Sequence, residues 1–396
     1  MPDRLRLVAL LAALTALGPF AMQSLAPALP MIATSFSVNA EAAQMMLSLS
    51  ILAIGVSTLL LGPLSDVHGR RPVALASVAV TVVASGAVAI APTLESAVAA
   101  RVVQAGAAGA GMVLSRAIAR DRFGPEGAGA VIAQVTAVMV LAPMVAPIIG
   151  GIIAAHLGWR AIFAATAGLA AVVGWLVWRG LAESNLARSE ARGARAIAAS
   201  LAAVSRSRRF WSYCVVAAMS LSSFLFFVGT APYVVAEGFG AGPDVYGLGF
   251  AAVGAGYIAS NLLYARLVGR VRGDMLMLGG LAAAVATSLA CGLAVTWGWT
   301  GLHTVFAAAV LNSLASGLVV PNAMAGAVAS CPERAGASSS LLGFVQFAVA
   351  ACAAQLGAVI PHQDAGPMSL SMAAISALGL AGFIALSQRD VRKSLL

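Results

Sequence analysis

Apolar runs of about 20 residues, separated by short stretches holding charge, Gly and Pro, fill nearly the whole chain. A helix that spans a bilayer needs ~20 mostly apolar residues. The breaks therefore predict twelve spans, at 7–29, 44–64, 73–92, 97–119, 128–152, 161–179, 211–235, 246–266, 275–297, 302–323, 337–360 and 367–387. The runs are continuous rather than alternating, which argues against membrane strands with their ~10-residue alternation. An even number of spans puts both termini on one side. The start, Met1 to Arg6 followed by an apolar run, has the outline of a signal peptide. That run continues to about Leu29, long enough to span, so an uncleaved first helix is expected.

Composition turns this pattern into a solvent argument. The 396 residues are 61% hydrophobic and 9% charged, where a soluble chain carries ~25% charge. Mean hydropathy is +0.95. Such a chain cannot cover itself with polar surface, so its solvent is lipid. The expected fold class is an all-α polytopic membrane protein. The net charge of +9 would suggest nucleic acid in a soluble protein, but its distribution says otherwise. With the N-terminus in the cytoplasm, 21 of the 23 Lys and Arg residues fall on the cytoplasmic side, and only Arg101 and Arg160 do not. This is the positive-inside pattern. It predicts a multi-pass protein of the bacterial inner membrane with both termini cytoplasmic, and no nucleic-acid partner. The four cysteines form no CxxC pair and have no His at ligand spacing, so neither disulfide, metal nor cofactor is expected. All fourteen carboxylates fall in loops or at span ends.

The stretch from Arg179 to Arg209 is the longest polar connection, and it divides the spans six and six. The expected domains are 1–195, with a cytoplasmic linker from about 180, and 196–396. The halves echo each other after their second spans, where Gly69-Arg70 and Gly269-Arg270 share one offset. Two parallel six-helix halves imply a substrate site between them, near the midplane.

Three local patterns carry chemistry. Gly62-Pro-Leu-Ser-Asp-Val-His-Gly-Arg-Arg-Pro72 follows span 2. Asp66, at a helix end, can pair with a cation or a helix N-terminus. Gly62 and Gly69 allow close approach and a sharp turn, and Arg70 and Arg71 read as cytoplasmic anchors. Arg101-Val-Val-Gln-Ala-Gly106 lies in span 4, continued by Gly109, Gly111, Arg116, Arg120 and Asp121. An arginine two turns inside a span is costly unless paired, and by default marks function. In span 5, Ala142-Pro-Met-Val-Ala-Pro-Ile-Ile-Gly-Gly151 carries Pro143, Pro147, Gly150 and Gly151. Such residues kink a helix and admit a neighbouring backbone.

These stretches resemble, in turn, the loop between helices 2 and 3, the helix-4 arginine motif and the helix-5 exporter motif of the major facilitator superfamily. Gly18-Pro-Phe-Ala-Met-Gln-Ser-Leu-Ala-Pro-Ala-Leu-Pro30, Val320-Pro-Asn-Ala323 and Ala335 to Gln346 are similar to the bicyclomycin/chloramphenicol-type (Bcr/CflA) drug exporters. The resemblance implies two pseudo-symmetric six-helix bundles and an alternating-access secondary transporter exporting drugs or antibiotics, with a proton as coupling ion. It gives Asp66, Arg70, Gly62, Gly69 and Arg101 gating or coupling roles. Three departures stand out. Val67 and His68 replace the basic residue usual after the loop aspartate, Ala146 replaces a glycine of the exporter motif, and Gln23 stands where the subfamily commonly has Asp.

A glutamine cannot titrate, and no other carboxylate lies mid-span, so cationic substrates lose their anchor. A neutral or anionic amphiphile is the expected substrate. Asp66 is the leading titratable candidate for coupling. His68, His156, His303 and His362 stand near interfaces and read as solvated. The cavity candidates are Gln23, Gln104, Phe227, Tyr233, Tyr257, Asn261, Asn312 and Gln346, with structural hydrogen bonding across helices as the competing reading. No catalytic or phosphate-binding motif appears, so an enzyme is not expected. Twelve spans in two halves argue for a monomer rather than an oligomeric channel. The competing transporter reading is a facilitator or exporter of a metabolite (amino acid, sugar or siderophore).

Overall fold

A computed structural model of the chain describes residues 2–185 and 194–394. The middle of the expected linker, 186–193, with Arg188 and Arg192, lies outside the described residues. Among the described residues, twelve helices are long and apolar enough to cross a membrane. Among the described residues there is no β-strand, only an isolated bridge between Val268 and Val271. Large apolar side chains such as Leu60, Val83, Leu262 and Leu378 are exposed along these helices. Water would penalise that surface and lipid does not. The protein is a twelve-span membrane protein, as the apolar runs predict. Its helices extend past those runs because polar ends stay hydrogen-bonded in the helix beyond the apolar stretch. The chain divides into two compact units, Met1–Arg192 and Gly193–Leu396.

The first unit holds α1 (Arg4–Phe36), α2 (Ala40–His68), α3 (Arg70–Ala89), α4 (Leu94–Gly124), α5 (Gly127–Leu157) and α6 (Trp159–Gly180). Local chemistry sets the ends. The Asn39 side chain accepts the Ala42 N–H at 3.0 Å to start α2, and Thr93 with Ser96 forms a capping box before α4. Pro27 and Pro30, which lack an N–H, coincide with a 3₁₀ turn at Ala26–Ala28, after which α1 resumes to Phe36. The core packs Leu11, Leu14 and Leu17 of α1 against Leu114 and Ile118 of α4 and Val173 and Val177 of α6. At the α1–α4 crossing, Thr15 Oγ1 donates to Gly111 O at 3.3 Å and Ser115 Oγ to Leu11 O at 3.0 Å. A Cβ at Gly111 would overlap the Leu14 carbonyl, and one at Gly150 of α5 the Ser24 carbonyl. The small residues are what allow these backbones to touch.

The second unit holds α7 (Arg208–Gly238), α8 (Pro243–Leu267), α9 (Gly273–Thr296), α10 (Leu302–Ala329), α11 (Pro332–Leu356) and α12 (Gly366–Ser387). Ser207 caps α7 by accepting the Phe210 N–H. A further helix, Ala194–Ser205, precedes it and buries Val204 in the same core as Phe210, Met277, Val319 and Phe383. α7 is the most enclosed span. Its apolar stretch is 78% buried, against 28% for α8.

The echo between halves holds in the backbone and then fails. Gly69 and Gly269 both take positive φ, +96° and +81°. Arg70 opens α3 directly, whereas Arg270 sits in a turn three residues before α9 begins.

Candidate functional site

The α2–α3 junction is built around Arg70 and Glu183. Arg70 is 8% exposed, so it is a buried partner at the cytoplasmic-loop motif. Its guanidinium meets Asp66 Oδ1 at 2.5 Å and Asp121 Oδ2 at 3.0 Å, and donates to Ser65 Oγ. A planar fork between two carboxylates exploits geometry that lysine lacks. Glu183, just past α6, takes the start of α3. Its oxygens accept Arg70 N–H at 2.9 Å and Arg71 N–H at 3.1 Å, and also the Ser184 and Asn185 N–H groups. Asp121 accepts the Ser184 hydroxyl, and Asn185 Nδ2 donates to Asp66 O at 2.8 Å. The cluster thus ties α2, α3, α4 and the segment after α6 into one ionic knot.

Gly69 is required here on two counts. Its φ of +96° disfavours other residues, and a Cβ would stand 2.5 Å from Glu183 Oε2. Gly62, by contrast, has room, with Val113 Cγ1 3.5 Å away. Desolvation pushes the Glu183 carboxyl up, but the four backbone N–H donors outweigh it and hold the group below its ordinary range. Its contribution is therefore full above the ordinary glutamate range and is lost as pH falls through its lowered value. Glu183→Gln should cut amide protection in the first turn of α3 about fivefold, the size of one lost cap of ~1 kcal/mol, and remove the acid dependence of that protection. Unchanged exchange at Arg70 and Arg71 would refute this role.

A second polar cluster lies inside the first unit. Arg101 is completely buried. It donates to Gln104 Oε1 and, at 2.9 Å, to the Ala21 carbonyl of α1, and its guanidinium lies 5.6 Å from the Phe163 ring centroid. Gln104 passes the chain on by donating to Ser85 Oγ of α3. No carboxylate is among these partners, and Arg101 Nε has none. Gln23, 1% exposed on the same helix as Ala21, has both amide atoms without a partner among the described residues. Such orphaned polar groups are costly in a dry interior and call for a ligand, water or a functional role. Sequence reasoning names Gln23, Arg101 and Gln104. It misses Ser85, Phe163 and the Ala21 carbonyl, for which the sequence holds no signal.

In the second unit Phe210, Phe226, Phe227 and Tyr233 of α7 are buried. Phe227 is buried and stacks with Tyr246 and Phe250, at centroid distances of 6.4 and 6.1 Å. Asn312 of α10 donates to Ser223 Oγ of α7 at 2.6 Å, and Ser316 donates back to Asn312 Oδ1. Gln346 is buried. Tyr257 and Asn261 are half-buried and meet only along their own helix, where Asn261 Nδ2 donates to Tyr257 O. Tyr233 is fully buried and stacks on His362, which is 8% exposed. That corrects the expectation of a solvated histidine there, because the end of α7 covers the ring.

In α5 the backbone stays helical through Pro143 and Pro147, and the one non-helical residue between α4 and α5 is Gly124. The span-5 pattern brings backbones together at Gly150 against Ser24, and Gly151 is also buried. A cleft of about 670 Å³ opens between α2, α3 and α4, lined by Leu49, Val56, Leu60, Val80 and Val103 among others. Its wall is apolar and holds none of the cavity candidates.

Comparison with known proteins gives the same architecture. The chain is 27% identical over 393 residues to an MFS-type transporter of Bacillus subtilis (strain 168), YdgK, covering 98% of this chain and 97% of the relative. It is 26% identical over 382 residues to a bicyclomycin resistance protein homolog of Haemophilus influenzae, covering 96% and 95%. That bears out the subfamily resemblance of helices 1, 10 and 11. The crystal structure of a bacterial homolog of the human lysosomal transporter Spinster, in an inward-facing conformation, superposes with a TM-score of 0.76 at 13% identity, covering 98% of each chain. It shares the fold. Residues 11–234 match the family model described as Major Facilitator Superfamily. With twelve spans behind the match, this chain belongs to that superfamily of small-molecule transporters.

Proposed function

We propose that the protein is an alternating-access secondary transporter that exports drug- or antibiotic-like amphiphiles across the bacterial inner membrane by proton antiport. It works as a monomer with both termini in the cytoplasm, and prefers neutral or anionic substrates. The observation that carries the substrate preference is buried Arg101, whose partners are all neutral, on a helix bundle whose α1 presents Gln23 with an unpartnered amide. A cation ~6 Å from an uncompensated guanidinium meets about 3 kcal/mol of repulsion at an effective dielectric of ~20, on the order of a hundredfold in affinity. An anion gains by the same term, and a neutral carbonyl or hydroxyl can use the Gln23 amide. The bicyclomycin-resistance name of one relative supports export. The ionic knot at Asp66 and Arg70 supplies a discrete contact that can break and re-form between conformations. The gate roles of Asp66, Arg70, Gly62 and Gly69 and the cavity roles of the named polar residues belong to this proposal.

The test is a susceptibility panel in an efflux-deficient bacterial host, with amphenicols, bicyclomycin-like, cationic and anionic compounds. The intact chain should raise the inhibitory concentration of neutral or anionic members severalfold. Asp66→Asn, which weakens the 2.5 Å pair with Arg70, should return it to the host's level. Better protection against lipophilic cations would overturn the charge preference. No protection at all, with the protein verified in the membrane, would favour export or facilitation of a metabolite.

A further inference from the structure

We propose that His362 and Glu237 form a proton-binding site that ties the end of α7 to the connection between α11 and α12. The last turn of α7, Val234–Gly238, is a π-helix, a local winding that is rare and often marks functional positions. It carries Glu237. The imidazole of His362 sits between three elements. Its Nδ1 is 3.3 Å from Glu237 Oε2, its Nε2 is 3.0 Å from the Gly357 carbonyl just past α11, and its face stacks on Tyr233 of α7 at 5.1 Å and 20°. The backbones touch as well. A Cβ on Gly238 would lie 2.7 Å from the carbonyl oxygens of both His362 and Gln363.

The hydrogen-bond inventory of imidazole makes this arrangement a proton site. A neutral ring has one N–H and one lone pair, whereas the imidazolium has two N–H donors. Here both nitrogens face oxygen acceptors, so only the protonated ring satisfies both. Loss of the proton sets a nitrogen lone pair against a carboxylate or carbonyl oxygen and loosens one of the two ties. The ring is buried, but Glu237 keeps 55% of its side chain exposed, which gives a proton a path from water to the imidazole nitrogen. Imidazole is the side-chain type that gains and loses a proton nearest neutral pH.

The other ionisable groups at this end of the unit are Tyr233, Asp364, Asp244 and His303. Tyr233 offers its ring face. Asp364 accepts the Gly366 N–H at 2.7 Å. Asp244 and His303 stand in the first turns of α8 and α10, and neither forms an ion pair among the described residues. With no carboxylate in mid-span, this pair is the protonatable device that proton antiport would use in the second unit. That use rests on the function proposed above, whereas the proton site does not.

Hydrogen exchange of the purified full chain in lipid nanodiscs tests it without any substrate, so its outcome is separate from the susceptibility panel. Amides from Ala358 to Gln363, corrected for intrinsic rates, should be protected on the order of tenfold more at pH 5.5 than at 7.5, the size of one charge-assisted hydrogen bond. Glu237→Gln, a change at a half-exposed side chain, should bring that ratio to about one, and His362→Gln should do the same. Equal protection at both pH values in the unaltered chain, or a ratio that survives Glu237→Gln, would overturn the proposal. The Glu237→Gln variant alone decides if His362→Gln does not fold.

Discussion

Replacing Gly150 with alanine should lower the melting temperature of the purified protein by on the order of 10 °C, while Gly86→Ala should leave it unchanged or raise it. A methyl group at Gly150 would enter the space of Ser24's carbonyl oxygen, carbonyl carbon and Cα. These are backbone atoms at the break in α1, and no rotamer change can move them aside. The helices must separate, and overpacking of this kind costs about 3 kcal/mol or more. A Cβ added at Gly86 of α3 would meet nothing within 4 Å. There alanine only improves helix propensity, by roughly 0.5–1 kcal/mol. Paired thermal melts of the two variants provide the check. Equal effects would mean that close approach is not what the first glycine of the Gly150-Gly151 pair is for.

Arg101→Ala should reduce resistance to that of the host without the transporter, and Arg101→Lys should recover little of it. The guanidinium makes two divergent contacts, to Gln104 and to the Ala21 carbonyl, and lies against Phe163. A lysine ammonium is a point donor that cannot reproduce this fork and stack. Alanine leaves the Gln104 and Ala21 oxygens without that donor in a buried setting, at ~1–3 kcal/mol each, but it also removes a desolvated charge. Folding and transport should therefore separate. The variant should reach the membrane in normal amount and still fail to protect. Inhibitory concentrations read alongside membrane abundance decide the matter. Full protection by Arg101→Ala would remove the positive centre from the proposed mechanism.

The twelve spans were legible because each is a compositional event some 20 residues long, which local irregularity cannot hide. The ends were less so. α1 runs on past Pro30 to Phe36 after a 3₁₀ turn around Pro27, a solution that chain pattern does not announce. The site was legible where a residue breaks the solvent rule by itself, as Arg101 does inside an apolar run. It was illegible where meaning comes from a distant partner. Glu183 stands 113 residues from the Arg70 amide it caps, and nothing near it in sequence marks it. His362 reads as an interfacial residue until the π-turn of α7 is seen to cover it. The Gly69 and Gly269 echo was visible in both halves, yet only the first half supplies the acid that makes the glycine indispensable.

The enclosure of α7 has a consequence for how this protein changes over generations. A span with a lipid-facing side can exchange one apolar residue for another there at little cost, and that side absorbs neutral drift. α7, buried over 78% of its apolar stretch, has almost no such side. Nearly every substitution in it must be answered by a neighbour on α8, α10, α11 or α12. New substrate ranges that arise by single changes should therefore be inherited more readily through α8, whose corresponding stretch is 28% buried, than through the helix that carries the aromatic core.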